Sequence, residues 1–212
     1  MKKYLFIIVA LCLFTLTVVG QQRVIAECTV TYNIVADSTV DKETKETLEK
    51  TTKTVYIKGN TCRTNLLNSA FSQAIIYEKL SGTATILREI GSNKFITKLD
   101  KTQWIEKHKQ FEGMQITKLN EVKNILGYPC KKIIMQLKDS SIYQIYYATS
   151  IVPSVKEFEF QFKEVPGFVL EYEIDEVGAK KIQYIATKIN LNPVANTIFA
   201  IPTVGYRILT EK

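Results

Sequence analysis

One histidine, His108, serves the whole of this 212-residue chain. That scarcity excludes a good deal of chemistry. A histidine-assisted nucleophile needs its base beside it, and nothing in WIEKHKQF places a serine or cysteine there. His108 reads as a solvent-facing residue on a strand edge. A zinc site needs paired ligands at short spacing, and the chain offers neither C-x-x-C nor two histidines on a helix. No catalytic residue, metal or cofactor is expected. RNA- and DNA-binding signatures are missing too, as is a tandem repeat of fixed period.

The apolar run LFIIVALCLFTLTVV, residues 5–19, is shorter than the ~20 residues a membrane span needs. With Lys2 and Lys3 ahead of it, the layout is that of a secretory signal peptide. Small residues place cleavage after Gly20, where the run stops, or after Ala26; the first is preferred. Cys12 lies inside the run and Cys28 follows Glu27, so there is no lipid-anchor site. The expected organisation is a signal peptide over residues 1–20 and a single exported β-rich domain over residues 21–212. The mature protein is read as soluble, periplasmic and not membrane-spanning. Removing Lys2 and Lys3 takes the formal charge from +7 to +5. In an exported protein that balance points to anionic lipid, acidic polysaccharide or solubility rather than nucleic acid.

What the chain has in quantity is alternation. CTVTYNIV sets Cys28, Val30, Tyr32 and Ile34 against Thr29, Thr31 and Asn33. TVYIKG, QAIIYEKL, TATILREI and KFITKLD follow, separated by Ser81-Gly82 and Gly91-Ser92-Asn93, the turn residues of hairpins. CKKIIMQLK, IYQIYYATS, FVLEYEI and KIQYIATKINL continue the pattern, the last two joined by a turn at Glu176-Val177-Gly178. ITKLNEVKNILG fits a short helix or a strand extension, and we assign a strand. The charged stretch at residues 38–53 is expected to be a long mobile hairpin loop. The fold class is therefore mainly β: a curved antiparallel sheet or incomplete β-barrel with few short helices.

Three cysteines survive processing, so one pair and one free thiol fit an oxidising compartment. A hairpin folded about Lys45 would set Cys28 opposite Cys62, with a bulge at Gly59 correcting their phase, and this disulfide is favoured. Three buried, reduced cysteines acting as small hydrophobes are the alternative.

In EVPGFVLEYEI, a Pro-Gly break precedes Phe168, Leu170, Tyr172 and Ile174 on one face and Val169, Glu171 and Glu173 on the other. Pro166 fixes φ and Gly167 is expected to take an unusual backbone angle. Glu171, Glu173 and Asp175 stand ~6.6–6.8 Å apart along a strand, near the spacing of an inverting glycosidase pair. Any acidic outer face has that spacing, however, and Lys180-Lys181 across the turn can neutralise it. A solvated face is the reading. Phe158, Phe160 and Phe162 share one face of a period-two stripe, with Tyr143, Tyr146 and Tyr147 nearby; such a stripe serves either core or binding surface.

ILGYPCKKIIMQLKDSSIYQIYYATSI followed by EVPGFVLEYEI resembles the exported GLPGLI-type proteins of Bacteroidota. Their pattern is I-x-G-Y-x-C-K-K, a strand ending in Y-Y/W-x-T, and a proline-glycine-apolar strand. YIKGNTCRTNL and ATILREIGSNKFITKL resemble the upstream strands, so the likeness spans residues 54–174. Val165 and Phe168-Val169 depart from the usual Leu and Leu-Ile. The resemblance implies a lipoprotein-carrier-like fold, an incomplete barrel with an apolar concave side, and no catalytic residues. On it, Phe168, Leu170, Tyr172 and Ile174 face the concavity and would touch a lipid or acyl-chain ligand. The other expectation is an envelope protein partner, bound at a sheet edge or at residues 38–53.

Overall fold

The computed structural model describes residues 21–37, 40–175 and 181–210. Residues 1–20, expected to be a signal peptide, and the turn expected at Glu176-Val177-Gly178 lie outside them.

The alternation seen in the sequence becomes two antiparallel runs of strands. The first comprises β2 (Glu27–Ala36), β3 (Thr52–Lys58), β4 (Thr61–Leu67), β5 (Phe71–Glu78), β6 (Thr83–Ile90) and β7 (Asn93–Leu99). The second comprises β8 (Gln115–Ile125), β9 (Tyr128–Gln136), β10 (Ile142–Ala148), β12 (Phe168–Asp175) and β13 (Ile182–Asn190). Pairing of β2 with β13 fuses them into one 12-stranded sheet. The sheet is curved but not closed. Its edges are β8 and the short β14 (Arg207–Leu209), which lies parallel to β7. A separate parallel pair joins β1 (Arg23–Ile25) to β11 (Ile151–Pro153). The mainly β, open-barrel architecture is as expected, and residues 115–125 are indeed a strand.

Register puts one face of the first run in layers. Cys28, Ile57, Cys62, Tyr77, Ala84 and Leu99 stand side by side across six strands, all buried. The next layer is Val30, Val55, Thr64, Ile75, Ile86 and Thr97. Burial of a strand's alternate residues is what fixes register, since a one-residue slip would turn the whole set to water.

The expected Cys28–Cys62 disulfide is not formed, and Cys28, Cys62 and Cys130 are all free and buried. Gly59 is the reason. With φ +58 it begins a two-residue Gly59-Asn60 turn between paired Lys58 and Thr61, not a bulge. The chain reverses, and β3 intervenes: Cys28 faces Ile57, and Ile57 faces Cys62. Two strand spacings are roughly 9–10 Å, beyond disulfide reach. Burial pushes the Cys28 thiol up to about 12 and Cys130 up to about 11, and raises Cys62 as well. Such thiols hold almost no thiolate near neutrality and are inert as nucleophiles.

Two helices form where loop or strand is expected. Residues 42–49 are helix α1 (Lys42–Glu49), not a long loop; Asp41 caps it by accepting from Thr44 N at 2.9 Å. None of its residues is buried, and Lys45–Glu49 and Glu46–Lys50 pairs run along it at 3.9 Å. Helix α2 (Lys101–Lys107) occupies the stretch before His108. Asp100 accepts from Gln103 N at 2.9 Å and Gln103 Oε1 accepts from Asp100 N at 3.0 Å, a capping box.

Candidate ligand site on the inner sheet face

The inner face is covered by a strap, residues 154–165, rather than by a second sheet. Phe158, Phe160 and Phe162 do not form a strand stripe. They belong to two 3₁₀ turns, Lys156–Phe158 and Phe160–Phe162. The strap satisfies its backbone locally, with Phe162 N donating to Glu159 O and Val165 N to Phe162 O, each at 2.9 Å. It is tied down by Thr64 Oγ1 donating to Phe158 O at 2.8 Å and Ser154 Oγ to Gly59 O at 2.6 Å. Phe158 and Phe162 are buried, Phe158 packing on Phe168 at 5.5 Å and Phe162 on Tyr172 at 5.0 Å between ring centres. Each such burial contributes roughly 1.5–3 kcal/mol.

The four residues of the Pro-Gly strand divide. Tyr172 and Ile174 line a cavity of about 170 Å³ beside the strap, whereas Phe168 and Leu170 are wholly buried in the core. Their alternation fails at a bulge: Tyr146 faces Glu171 and Tyr147 faces Val169, leaving Leu170 without a partner on β10. Val169 is fully buried, not exposed. Gly167 has no left-handed φ, contrary to expectation; a Cβ there would lie 2.1 Å from the Ala148 carbonyl oxygen.

The acidic face also differs from the sequence reading. Glu171 is 3% exposed. Its carboxylate accepts from Lys123 Nζ at 2.6 and 2.8 Å and from Gln183 Nε2 at 3.1 Å. Edge strand β8 supplies that lysine. Glu173 accepts from Gln144 Nε2 at 3.0 Å, and Lys181 Nζ lies 3.6 Å from Glu173 and 3.0 Å from Asp175, the cross-turn pairing expected for Lys181.

Lys53 is the residue the sequence reading passed over. It shares the inner face with Val55 and Ile57, opposite Tyr32, and is 4% exposed. Its ammonium donates to Glu159 of the strap and to the Tyr172 hydroxyl. Three rings surround it, with centres 4.8 Å away at Tyr184, 5.0 Å at Tyr172 and 5.8 Å at Tyr32. Tyr172 and Tyr184 stack at 4.5 Å, and Tyr32 OH donates to Val169 O at 2.7 Å. Burial, above all, raises both Tyr32 and Tyr172. Lys53, Glu159, Gln161, Tyr172 and Tyr184 thus give the 170 Å³ cavity polar walls at one side.

A second cavity, about 40 Å³, shares Ile75 and Glu159 with the first. Trp104 and His108 of the α2 segment form part of its wall. His108 is not solvent-facing. Its ring stacks on Phe160 at 4.6 Å and meets Trp104 at 4.1 Å, and its Nδ1 lies 2.8 Å from Trp104 O. Burial holds His108 below its ordinary value of 6.5, against the opposing pull of that carbonyl. The unfolded chain therefore takes up this proton at higher pH than the folded one, and stability falls as pH drops through 6.5 toward the folded value. Urea unfolding at pH 7.5 and 5.5 should show the loss. His108→Phe, which keeps a ring in place, should remove that part of it; an unchanged pH dependence in the variant would refute the assignment.

No protein-family model matches the sequence, and no curated protein matches it. Solved structures do. PNGF-II in a C2 crystal form is similar at 10% identity and TM-score 0.52, over 87% of this chain and 31% of that one. A P21 form of PNGF-II matches at 11% and 0.51, over 88% and 31%. The chain thus spans about a third of the length of PNGF-II, and the likeness is one of fold. The Pseudomonas aeruginosa MucA/MucB complex matches more loosely, at 11% identity and TM-score 0.45, over 87% of this chain and 58% of that one. Among the described residues no helix is long and apolar enough to cross a membrane, and no cluster of three metal-ligating side chains occurs.

Proposed function

We propose that the protein is an exported, carrier-like binding protein of the cell envelope whose inner sheet face, beneath the strap, takes an apolar-bodied guest such as a lipid or acyl chain. The observation that supports this most is the strap itself. Three phenylalanines on short 3₁₀ turns occupy the inner face, and cavities of about 170 and 40 Å³ remain beside them. Ligand pockets usually run from roughly 300 to 1,000 Å³, so a long chain would enter only by displacing strap side chains. The guest's apolar surface would then replace the contacts of Phe158 and Phe162. The resemblance to GLPGLI-type and lipoprotein-carrier-like domains points the same way, as does the N-terminal signal-peptide pattern.

Native mass spectrometry with lipid extraction, on protein recovered from its own envelope, is the test. A discrete adduct that extracts as lipid is expected. A bare mass that stays bare after incubation with phospholipid, fatty acid and monoacylglycerol would overturn the reading. A second reading, a protein partner, is favoured by β8: an 11-residue edge strand, nearly all exposed, with Ile116 and Val122 at 36% and 62%. Unpaired edges accept added strands. A defined protein complex without lipid would favour it.

A further inference from the structure

Two buried polar atoms lack a hydrogen-bond partner among the described residues, Trp104 Nε1 and Glu157 Oε2. Both residues line the 40 Å³ cavity, and Trp104 is only 4% exposed. A buried donor or acceptor left unmade is costly, and native proteins leave few of them. One is a donor and the other an acceptor. A carboxylate head could accept from Trp104 but would face the Glu157 and Glu159 carboxylates. An ammonium could donate to Glu157 but would leave the indole N–H unmet. A hydroxyl can both accept and donate. The space exceeds the ~10–15 Å³ that one water requires, and suits a hydroxyl or hydroxymethyl rather than a ring. Charge is already balanced next door, where Lys53 is paired with Glu159.

We propose that this cavity seats an uncharged alcohol hydroxyl of the guest, so that the protein selects a lipid alcohol such as a monoacylglycerol. The proposal rests on the inner-face reading above and names the head group that site would take. Ile75 and Glu159 line both the seat and the larger cavity, so the two are neighbours, and an apolar body would lie in the larger one. Tyr77, stacked 5.7 Å from Trp104, and Phe160 make the seat's surroundings aromatic, suited to a lipid more than to a free sugar.

Trp104 is the only tryptophan of the chain, so its emission reports on the seat directly. The purified mature protein is titrated with 1-dodecanoylglycerol, dodecanoate, dodecylamine and methyl glucoside. The monoacylglycerol should shift the emission saturably and bind at least about tenfold more tightly than either charged amphiphile. Glu157→Ala should weaken monoacylglycerol binding about tenfold or more, the loss of a bond to a charged group, and erase the preference over dodecanoate. Trp104→Phe, followed by native mass spectrometry, should weaken the monoacylglycerol adduct while leaving the fold intact by circular dichroism. Saturable binding of methyl glucoside instead would keep the hydroxyl seat and give carbohydrate as its source. Equal binding of all three amphiphiles, or no effect of Glu157→Ala, would overturn the seat while leaving the inner-face site standing. No adduct with any amphiphile, by fluorescence or by mass, would remove both.

Discussion

Gly167→Ala should lower the melting temperature by about 6–12 °C. The added Cβ would stand 2.1 Å from Ala148 O, 2.6 Å from Tyr147 Cδ2 and 3.1 Å from the Ala148 carbonyl carbon. The first and last of these are backbone of β10, a central strand hydrogen-bonded to β9 on one side and β12 on the other. A flexible side chain could swing aside, but this backbone moves only by breaking ladder bonds on both flanks. Nor can the glycine's own segment retreat freely, because Gln22 Nε2 donates to Pro166 O at 2.6 Å and to Thr149 O at 3.2 Å. Overpacking typically costs ~1–3 kcal/mol. A backbone collision belongs at the upper end, and at ~2–4 °C per kcal/mol for a chain of this size about 3 kcal/mol gives the stated drop. Pro166→Ala is the control, expected to cost under about 1 kcal/mol by loosening the unfolded chain. A Gly167→Ala protein melting within 2 °C of the parent would show that β10 yields. The Pro-Gly break thus serves close packing: the chain comes down onto β10 where no side chain fits.

Much of the sheet was legible because period two survives wherever one face is buried and the other wet. β2 and β3, with Cys28, Val30, Tyr32 on one strand and Lys53, Val55, Ile57 on the other, announce their inner face directly. Lys53 was nonetheless lost into the charged stretch before it, since a lysine at the head of an apolar alternation looks like a solvated strand end. The signal was there, in its phase with Val55 and Ile57. Asp100 and Gln103 likewise carried a legible capping box for α2. The strap was not legible. EFEFQF alternates like a strand, and only tertiary contact decides that its backbone bonds close locally in 3₁₀ turns. Glu171 was misread for a related reason: its burial depends on Lys123 of β8, an edge strand 48 residues away in sequence, which local periodicity does not place. The bulge at Leu170, which local alternation does not announce, shifts the pairing of the very strand whose two faces seemed clearest.

The Lys53–Glu159 pair should show a lopsided cost when its members are removed singly. Lys53 has a side chain 5% exposed, whereas that of Glu159 is 22% exposed. Glu159→Ala leaves an ammonium enclosed by Tyr32, Tyr172 and Tyr184 with one phenol oxygen to receive it. Stripping one partner from a buried pair costs about 3–5 kcal/mol. Lys53→Met is expected to cost well under that, roughly 1–2 kcal/mol: the carboxylate can turn toward water, and methionine suits a cage of rings. Lys53→Met combined with Glu159→Gln should recover most of the loss seen in Glu159→Ala, because a desolvated ion pair is often replaceable by uncharged groups at little net cost. Urea unfolding of the three variants measures this. The order matters for function as well as stability, since Glu159 lies on the strap and Lys53 on the sheet, so the pair fastens one to the other across the larger cavity. If Glu159→Ala proved as mild as Lys53→Met, water would be reaching the ammonium, and the strap would be held to the sheet by the Thr64 and Ser154 hydrogen bonds and the packing of Phe158 and Phe162, not by the ion pair.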